Sequence, residues 1–305
     1  MTLKFLSPEN IPKQISLEDE IVKKENTDKK ILDGKVVTPG DVITTDLTFM
    51  RGFGTYKDGD CIRSSVAGTV GVLNKLITAT SLRARYSGEI GDVVVARITE
   101  VSQKRWKVDV NSRQDGILLL SSVILPGGVQ RRKSESDELK MRQLLSEGDL
   151  LVAEVHAFYG DAISLHTRSI KYGKLRNGCL VQIPPLLVQR SRSHFALLSC
   201  GVNVIFGLNG YIWVSKYITD EIEEISEDNI FSSKNEDITD TERETIARVA
   251  NCIRALSISS VPVSETSVNF AYEASLQYDT KELLITSFAQ SVAYEALEKT
   301  AMINY

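Results

Sequence analysis

A chain of 305 residues, 42% apolar and 25% charged with a formal net charge of −4, has an ordinary globular composition and room for two or three domains. No apolar run approaches the ~20 residues that span a bilayer, and MTLKFLSPENIPKQ lacks the apolar core and cleavage site of a secretory leader. The cysteines Cys61, Cys179, Cys200 and Cys252 are scattered with no CxxC pair, which argues against a disulfide framework or a zinc cluster and for a reducing, intracellular setting.

In chain order, residues 1–34 are polar and Lys/Glu-rich and read as a flexible tail. Ordered structure is expected from VVTPGDVIT (36–44), where Pro39-Gly40 marks a turn between two β-prone runs. Glycines 52, 54, 59, 68 and 71 then punctuate short Val/Ile/Thr segments, so 35–82 reads as a small antiparallel β domain.

Residues 83–169 carry the strongest pattern. VVVARITEV (93–101) is a continuous β-prone run after the turn Gly91-Asp92. WKVDV (106–110) alternates, with Trp106, Val108 and Val110 on one face and Lys107 and Asp109 on the other. GILLLSSV (116–123) is a third run, followed by a polar insertion with a short helix near Ser136–Leu145. LLVAEVHAF (150–158) and AISLHTRS (162–169) follow, separated by Gly160-Asp161. Three strands, a helix-bearing connection and two strands is the order of the five-stranded OB barrel.

From 170 to 305 the pattern is mixed. CLVQI (179–183) is strand-like, Pro184-Pro185 breaks it, and LLVQRSRSHFALL reads as a strand passing into a helix. VNVIF and YIWV flank the glycine-bounded turn Gly207-Leu208-Asn209-Gly210. Thr241 with Glu244 forms a capping box that opens a helix through Ile246, Val249, Ala250 and Ile253. A last helix is expected from Asp279-Thr280, burying Ile285, Phe288, Val292 and Ala296. The overall expectation is a mainly β protein with an α+β C-terminal part: an N-terminal β domain, an OB barrel and a mixed C-terminal domain that ends in helices.

Charge is unevenly shared. Residues 219–240 hold nine carboxylates and one lysine, and read as an acidic flexible loop. That local −8, taken from the total of −4, leaves +4 for the rest. Residues 83–176 carry sixteen Lys/Arg against twelve Asp/Glu, a mild excess compatible with a nucleic-acid surface and equally with a solvated one.

No catalytic or cofactor motif stands out, and neither metal, cofactor nor enzymatic activity is expected. His156 and His166 lie in strands without a metal-like partner at i+2 or i+4, and no P-loop follows a strand. Two basic clusters fall at barrel loops: Lys104, Arg105 and Lys107 around the first turn, and Arg131, Arg132 and Lys133 with Arg142 on the following helix. Cations just before a helix N-terminus are disfavoured by about 0.3–1 kcal/mol, so the second cluster calls for an anionic partner outside the chain. The competing reading is a solvated loop balanced by Glu135, Asp137 and Glu138. Trp106 shares strand parity with Val108 and Val110 and is expected in the core. Tyr86, Phe158 and Tyr159 are weaker stacking candidates.

The runs VTPGDVITTDLTFMRGFGTY, RYSGEIGDVVVARITEVSQKRWKVDVNSR, ILLLSSVILPGG, RRKSESDELKMR, EGDLLVAEV, SLHTRSIKYGKL and GLNGYIW resemble the family of eukaryotic RNA exosome cap subunits called ribosomal RNA-processing protein 4, the exosome component 2 type. The likeness runs almost continuously from Val36 to Trp213. It implies an N-terminal β domain, an OB barrel and a KH domain, in a non-catalytic subunit of the nucleus, nucleolus and cytoplasm. The partners it implies are a ring of RNase PH-like subunits, the other caps, single-stranded RNA and a separate 3′→5′ exoribonuclease. It also implies that Gly207, Asn209 and Gly210 are a structural GxNG turn supplying φ > 0 positions, not RNA ligands. A free-standing OB/KH regulator of translation or RNA turnover is the alternative.

Overall fold

The computed structural model describes residues 32–46, 48–81, 83–124, 135–169, 171–217, 231, 235 and 237–303. Most of the 1–34 tail, the cluster Arg131, Arg132 and Lys133, and most of the acidic segment 219–240 lie outside the described residues. The chain divides into two compact units, 1–83 and 84–305. No helix among the described residues is long and apolar enough to cross a membrane.

The first unit is built from β1 (Val36–Val37), β2 (Val42–Thr44), β3 (Met50–Arg51), β4 (Thr55–Asp58), β5 (Cys61–Ser64), β6 (Gly68–Leu73) and β7 (Leu76–Ser81). They form two sheets, ordered β1-β6-β7-β3 and β2-β5-β4. Pro39-Gly40 turns the chain as expected: Gly40 has φ +93°, and the Asp41 carboxylate accepts from the Thr38 amide and hydroxyl. Inward alternation places Val37, Ile43, Ile62, Val70 and Ile77 in one small core. The expectation of a wholly antiparallel domain is corrected at β3, which pairs with β7 in parallel.

The second unit begins with the barrel: β8 (Val93–Ser102), β9 (Arg105–Asp109), β10 (Gly116–Val123), β11 (Leu150–Tyr159) and β12 (Ala162–Thr167). The order is β12-β10-β9-β8-β11, and β12 closes the ring by pairing antiparallel with β11 and parallel with β10. The short β13 (Gly173–Lys174) adds to the β11 edge. Two short helices, α1 (Glu135–Leu139) and α2 (Met141–Leu144), occupy the β10–β11 connection. Trp106 is fully buried and its indole Nε1 donates to the Leu145 carbonyl at 3.1 Å, so the helical connection is tied to the barrel through its largest core side chain.

The KH-like sheet, ordered β14-β17-β16-β15, comprises β14 (Gly178–Gln182), β15 (Phe195–Leu197), β16 (Val202–Phe206) and β17 (Tyr211–Lys216). Helices α3 (Asp240–Ile258), α4 (Glu265–Ser275) and α5 (Thr286–Ile303) join it in one core, through Ile253 and Leu256, Val268 and Ala271, and Val292 and Ala296. Three sequence expectations are corrected here, and one helix is new. The segment LLVQRSRSHFALL contains no helix beyond the single 3-10 turn Pro185–Leu187, and its end is strand β15. The N-cap of α3 is Thr239, whose hydroxyl accepts from the Glu242 amide while the Glu242 carboxylate accepts from the Thr239 amide. Helix α4 was not anticipated. The last helix starts at Thr286, and Ile285 is exposed.

β8 explains the continuous apolar run at its start. Val94 and Ala96 face the barrel core, while Val93 and Val95 pack with Ile205, Tyr211 and Trp213 of the KH-like sheet. A strand buried on both faces loses the polar alternation. The turn Gly207–Gly210 completes this joint. Leu208 N donates to the Val93 carbonyl at 3.0 Å, and the fully buried Asn209 donates from Nδ2 to the Val95 and Val110 carbonyls at 2.7 and 3.1 Å. The expectation that these residues supply φ > 0 positions is corrected for Gly207 and Asn209: within this turn only Gly210 has a positive φ, +83°. Gly207 is needed for close approach instead, since a Cβ there would sit 2.4 Å from the Tyr211 carbonyl oxygen.

Candidate nucleic-acid interface

The β8–β9 hairpin turns through Gln103-Lys104, with Lys104 in the left-handed region at φ 59°. The Lys104 carbonyl accepts from Leu120 N at 2.9 Å, which fixes the turn on β10. The hairpin and the helical connection lie together at this end of the barrel, because Lys104 Nζ meets Glu138 Oε1 of α1 at 3.1 Å. Arg142 of α2 pairs with Glu147 at 3.2 Å, and Lys107 of β9 pairs with Glu100 of β8 at 2.6 Å. The Lys107 ammonium and the Ser102 hydroxyl hold the Glu100 carboxyl below its ordinary value.

Three of the four described candidate cations therefore already form ion pairs with carboxylates, while exposed Arg105 forms none among the described residues and acts on Glu100 only through its charge. These are exposed pairs, and an exposed pair contributes only about 0–1 kcal/mol. At that strength a polyanion could displace such a carboxylate at little cost.

The aromatic candidates separate cleanly. Trp106 is core, as parity indicated. Tyr86 is also core: its hydroxyl donates to the buried carboxylate of Asp92 at 2.6 Å, and burial together with that bond pushes the phenol far above its ordinary range. Phe158 and Tyr159 remain exposed beside the β11–β12 turn.

A second surface was not anticipated from the sequence. Where the start of β8 meets the loop before β15, a cleft of about 450 Å³ is lined by the cations Lys171, Arg190 and Arg192, the carboxylates Asp92 and Glu154, and the rings of Tyr172, His194 and Phe195. Arg190 bridges Glu89 and the buried Asp92, each at 3.0 Å, and Asp92 also accepts from Glu89 N. The Tyr172 hydroxyl donates to Glu154 at 2.8 Å; burial, then Glu154, raises that phenol to about 12. The sequence signal was QRSRSH, a polar run of alternating cations and serines between apolar segments.

The His156 and His166 rings lie 5.3 Å apart between centroids, tilted by 59°, and burial lowers the His166 pKa. Among the described residues no three His, Cys, Asp or Glu side chains group as metal ligands would.

Comparison with known proteins adds to this geometry. A family model described as "RRP4, S1 domain" matches residues 85–157, one described as "KH domain" matches 178–219, and one described as "Exosome complex exonuclease RRP4 N-terminal region" matches 36–72. The chain is 50% identical over 265 residues to "Exosome complex component RRP4" of Bos taurus, covering 87% of this chain and 89% of that one. It is 45% identical over 284 residues to the Schizosaccharomyces pombe protein of the same description, covering 90% and 86%. The Saccharomyces cerevisiae counterpart is 41% identical over 305 residues, covering 88% and 85%.

Proposed function

The chain belongs to the RRP4 family of exosome complex components, and from that membership we propose that it is a non-catalytic cap subunit that guides single-stranded RNA into the exosome for 3′→5′ processing and degradation. The observation that carries this reading is likeness to exosome components at 50% identity across nearly the whole length of both chains. A protein alike in all three parts is alike as an assembly unit, and its domain partition follows the same parts: tail 1–34, β domain 35–82, barrel 83–169 and KH-like domain 170–305.

In this reading Lys104, Arg105, Lys107 and Arg142, with Arg131, Arg132 and Lys133, which lie outside the described residues, hold phosphates of the entering strand. OB barrels bind single strands through such loops, with cations on phosphates. Gly207, Asn209 and Gly210 act only on the protein, by fastening the KH-like sheet to the barrel. The partners are RNase PH-like ring subunits, the other caps and an associated exoribonuclease, in the nucleus, nucleolus and cytoplasm.

Affinity purification of a tagged copy from native extract, followed by size exclusion, tests the proposal. Co-elution with exosome subunits in a large assembly is expected. Migration near 33.8 kDa with RNA alone would support a free-standing regulator instead.

A further inference from the structure

We propose that the cleft between the start of the barrel and the loop before β15 is a second binding place for single-stranded RNA, with Lys171 and Arg192 taking phosphate and Tyr172 and Phe195 presenting a flat face to a base. The proposal rests on the RNA-guiding reading of the barrel and extends it to the opposite end of β8.

Four observations meet at this place. First, Lys171 and Arg192 are exposed, and neither has a carboxylate partner among the described residues. This differs from the barrel-loop end, where most cations are internally paired. The cleft also holds two carboxylates, but Asp92 is paired with Arg190 and Glu154 accepts from the Tyr172 hydroxyl. Three cations thus stand against two engaged carboxylates, and the balance favours an anion. Second, the scaffold is fixed. Arg190 is held by Glu89 and the buried Asp92, and the Tyr172 ring is oriented by its bond to Glu154. Third, the Tyr172 and Phe195 rings lie 6.1 Å apart between centroids at 33°, forming a small aromatic wall. Bases stack on such walls without regard to sequence. Fourth, His194 lines the same cleft and adds a third flat ring beside Tyr172 and Phe195.

The size decides between ligands. About 450 Å³ is at the scale of a small-molecule site, so it accommodates one nucleotide unit rather than a folded partner. An acidic peptide would use the cations but has no need of the aromatic wall. Position adds a geometric consequence. β8 runs from Val93 at the cleft to Ser102 beside Lys104, and ten strand residues at ~3.3 Å each span about 30 Å. A strand held at both ends would track along the barrel wall over several nucleotides.

The test uses the full-length chain, alone and reconstituted with exosome subunits, with a fluorescent oligouridylate and a 4-thiouridine version for photo-crosslinking. The variant is Lys171→Glu with Arg192→Glu. Arg190 is left in place, because removing it would strand the buried Asp92. Affinity is expected to fall severalfold, and the slope of log affinity against log salt to drop by about 1.4, as for two single-strand phosphates no longer neutralised. Crosslinks should fall on Tyr172 or Phe195, with Phe195→Leu reducing them while the melting temperature of the charge variant is unchanged. If the cleft variant binds and crosslinks like the parent while Lys104→Glu with Arg105→Glu weakens binding, the cleft proposal is overturned and the barrel reading stands. If neither variant changes binding, both fall. Loss of exosome subunits with unchanged RNA affinity would make the cleft a protein-docking site and equally overturn the proposal.

Discussion

Asn209 in the β16–β17 turn donates from Nδ2 to the carbonyl oxygen of Val95 at 2.7 Å, so a KH-like turn completes the hydrogen bonding of a barrel strand. The same amide reaches Val110 at 3.1 Å. The glycine-bounded turn is thus a clamp between domains, and its residues are occupied by protein.

Replacing Asn209 by alanine leaves two buried carbonyls without their donor. With unsatisfied buried groups costing about 1–3 kcal/mol each, Asn209→Ala is expected to lower unfolding free energy by about 2–4 kcal/mol in urea titration. A loss below about 0.5 kcal/mol, the range of neutral surface substitutions, would show that the clamp carries little.

Trp106 offers a sharp contrast between packing and stacking. Trp106→Phe removes the donor to Leu145 and part of the core volume, and should cost about 2–3 kcal/mol. RNA affinity measured well below the melting temperature should be unchanged. Weakened RNA binding with unaltered stability would instead identify the indole as a base platform.

Reversing charge at Lys104, Arg105 and Lys107 should weaken RNA binding by the assembled particle without dissociating it. The salt slope should fall by about 0.7 for each single-strand phosphate that the variant no longer neutralises. Unchanged RNA protection on the assembled particle would remove these residues from the interface.

Burial lowers the pKa of His194 and of His166 from 6.5, with desolvation the largest cause for each. The unfolded chain therefore binds protons that the folded chain does not. Stability is complete above the unfolded value and declines as pH falls through 6.5 toward the lowered folded values. The melting temperature should drop between neutral and mildly acidic pH, and His194→Gln should flatten that drop. An equally steep profile in the variant would place the proton uptake elsewhere.

The barrel was legible because its strands obey simple periodicity. Trp106 and Val108 alternate with more exposed neighbours, and the GILLLSSV strand has the bounds expected for it. The start of β8 was legible only as a continuous apolar run, since the second buried face belongs to a sheet roughly a hundred residues later in the chain. Helix α4 was missed because its buried stripe is Ser267, Val268, Ala271, Ala274 and Ser275, too small and polar to register as hydrophobic. The capping error has a definite origin. Thr239-Glu242 and Thr241-Glu244 both fit the box, and only structure shows that Glu244 instead pairs with Arg248 and accepts from Thr280. The cleft was hidden for a related reason: Lys171 and Arg192 are cations in separate segments, brought together only when the KH-like sheet docks on β8.

A chain that handles RNA without cutting it is recognised most directly by incubating the purified protein with end-labelled single-stranded RNA and added magnesium or manganese, and following both mobility and length. Bound but full-length RNA is the predicted result. Progressive shortening that disappears in the Lys104, Arg105 and Lys107 charge-reversal variant would contradict it.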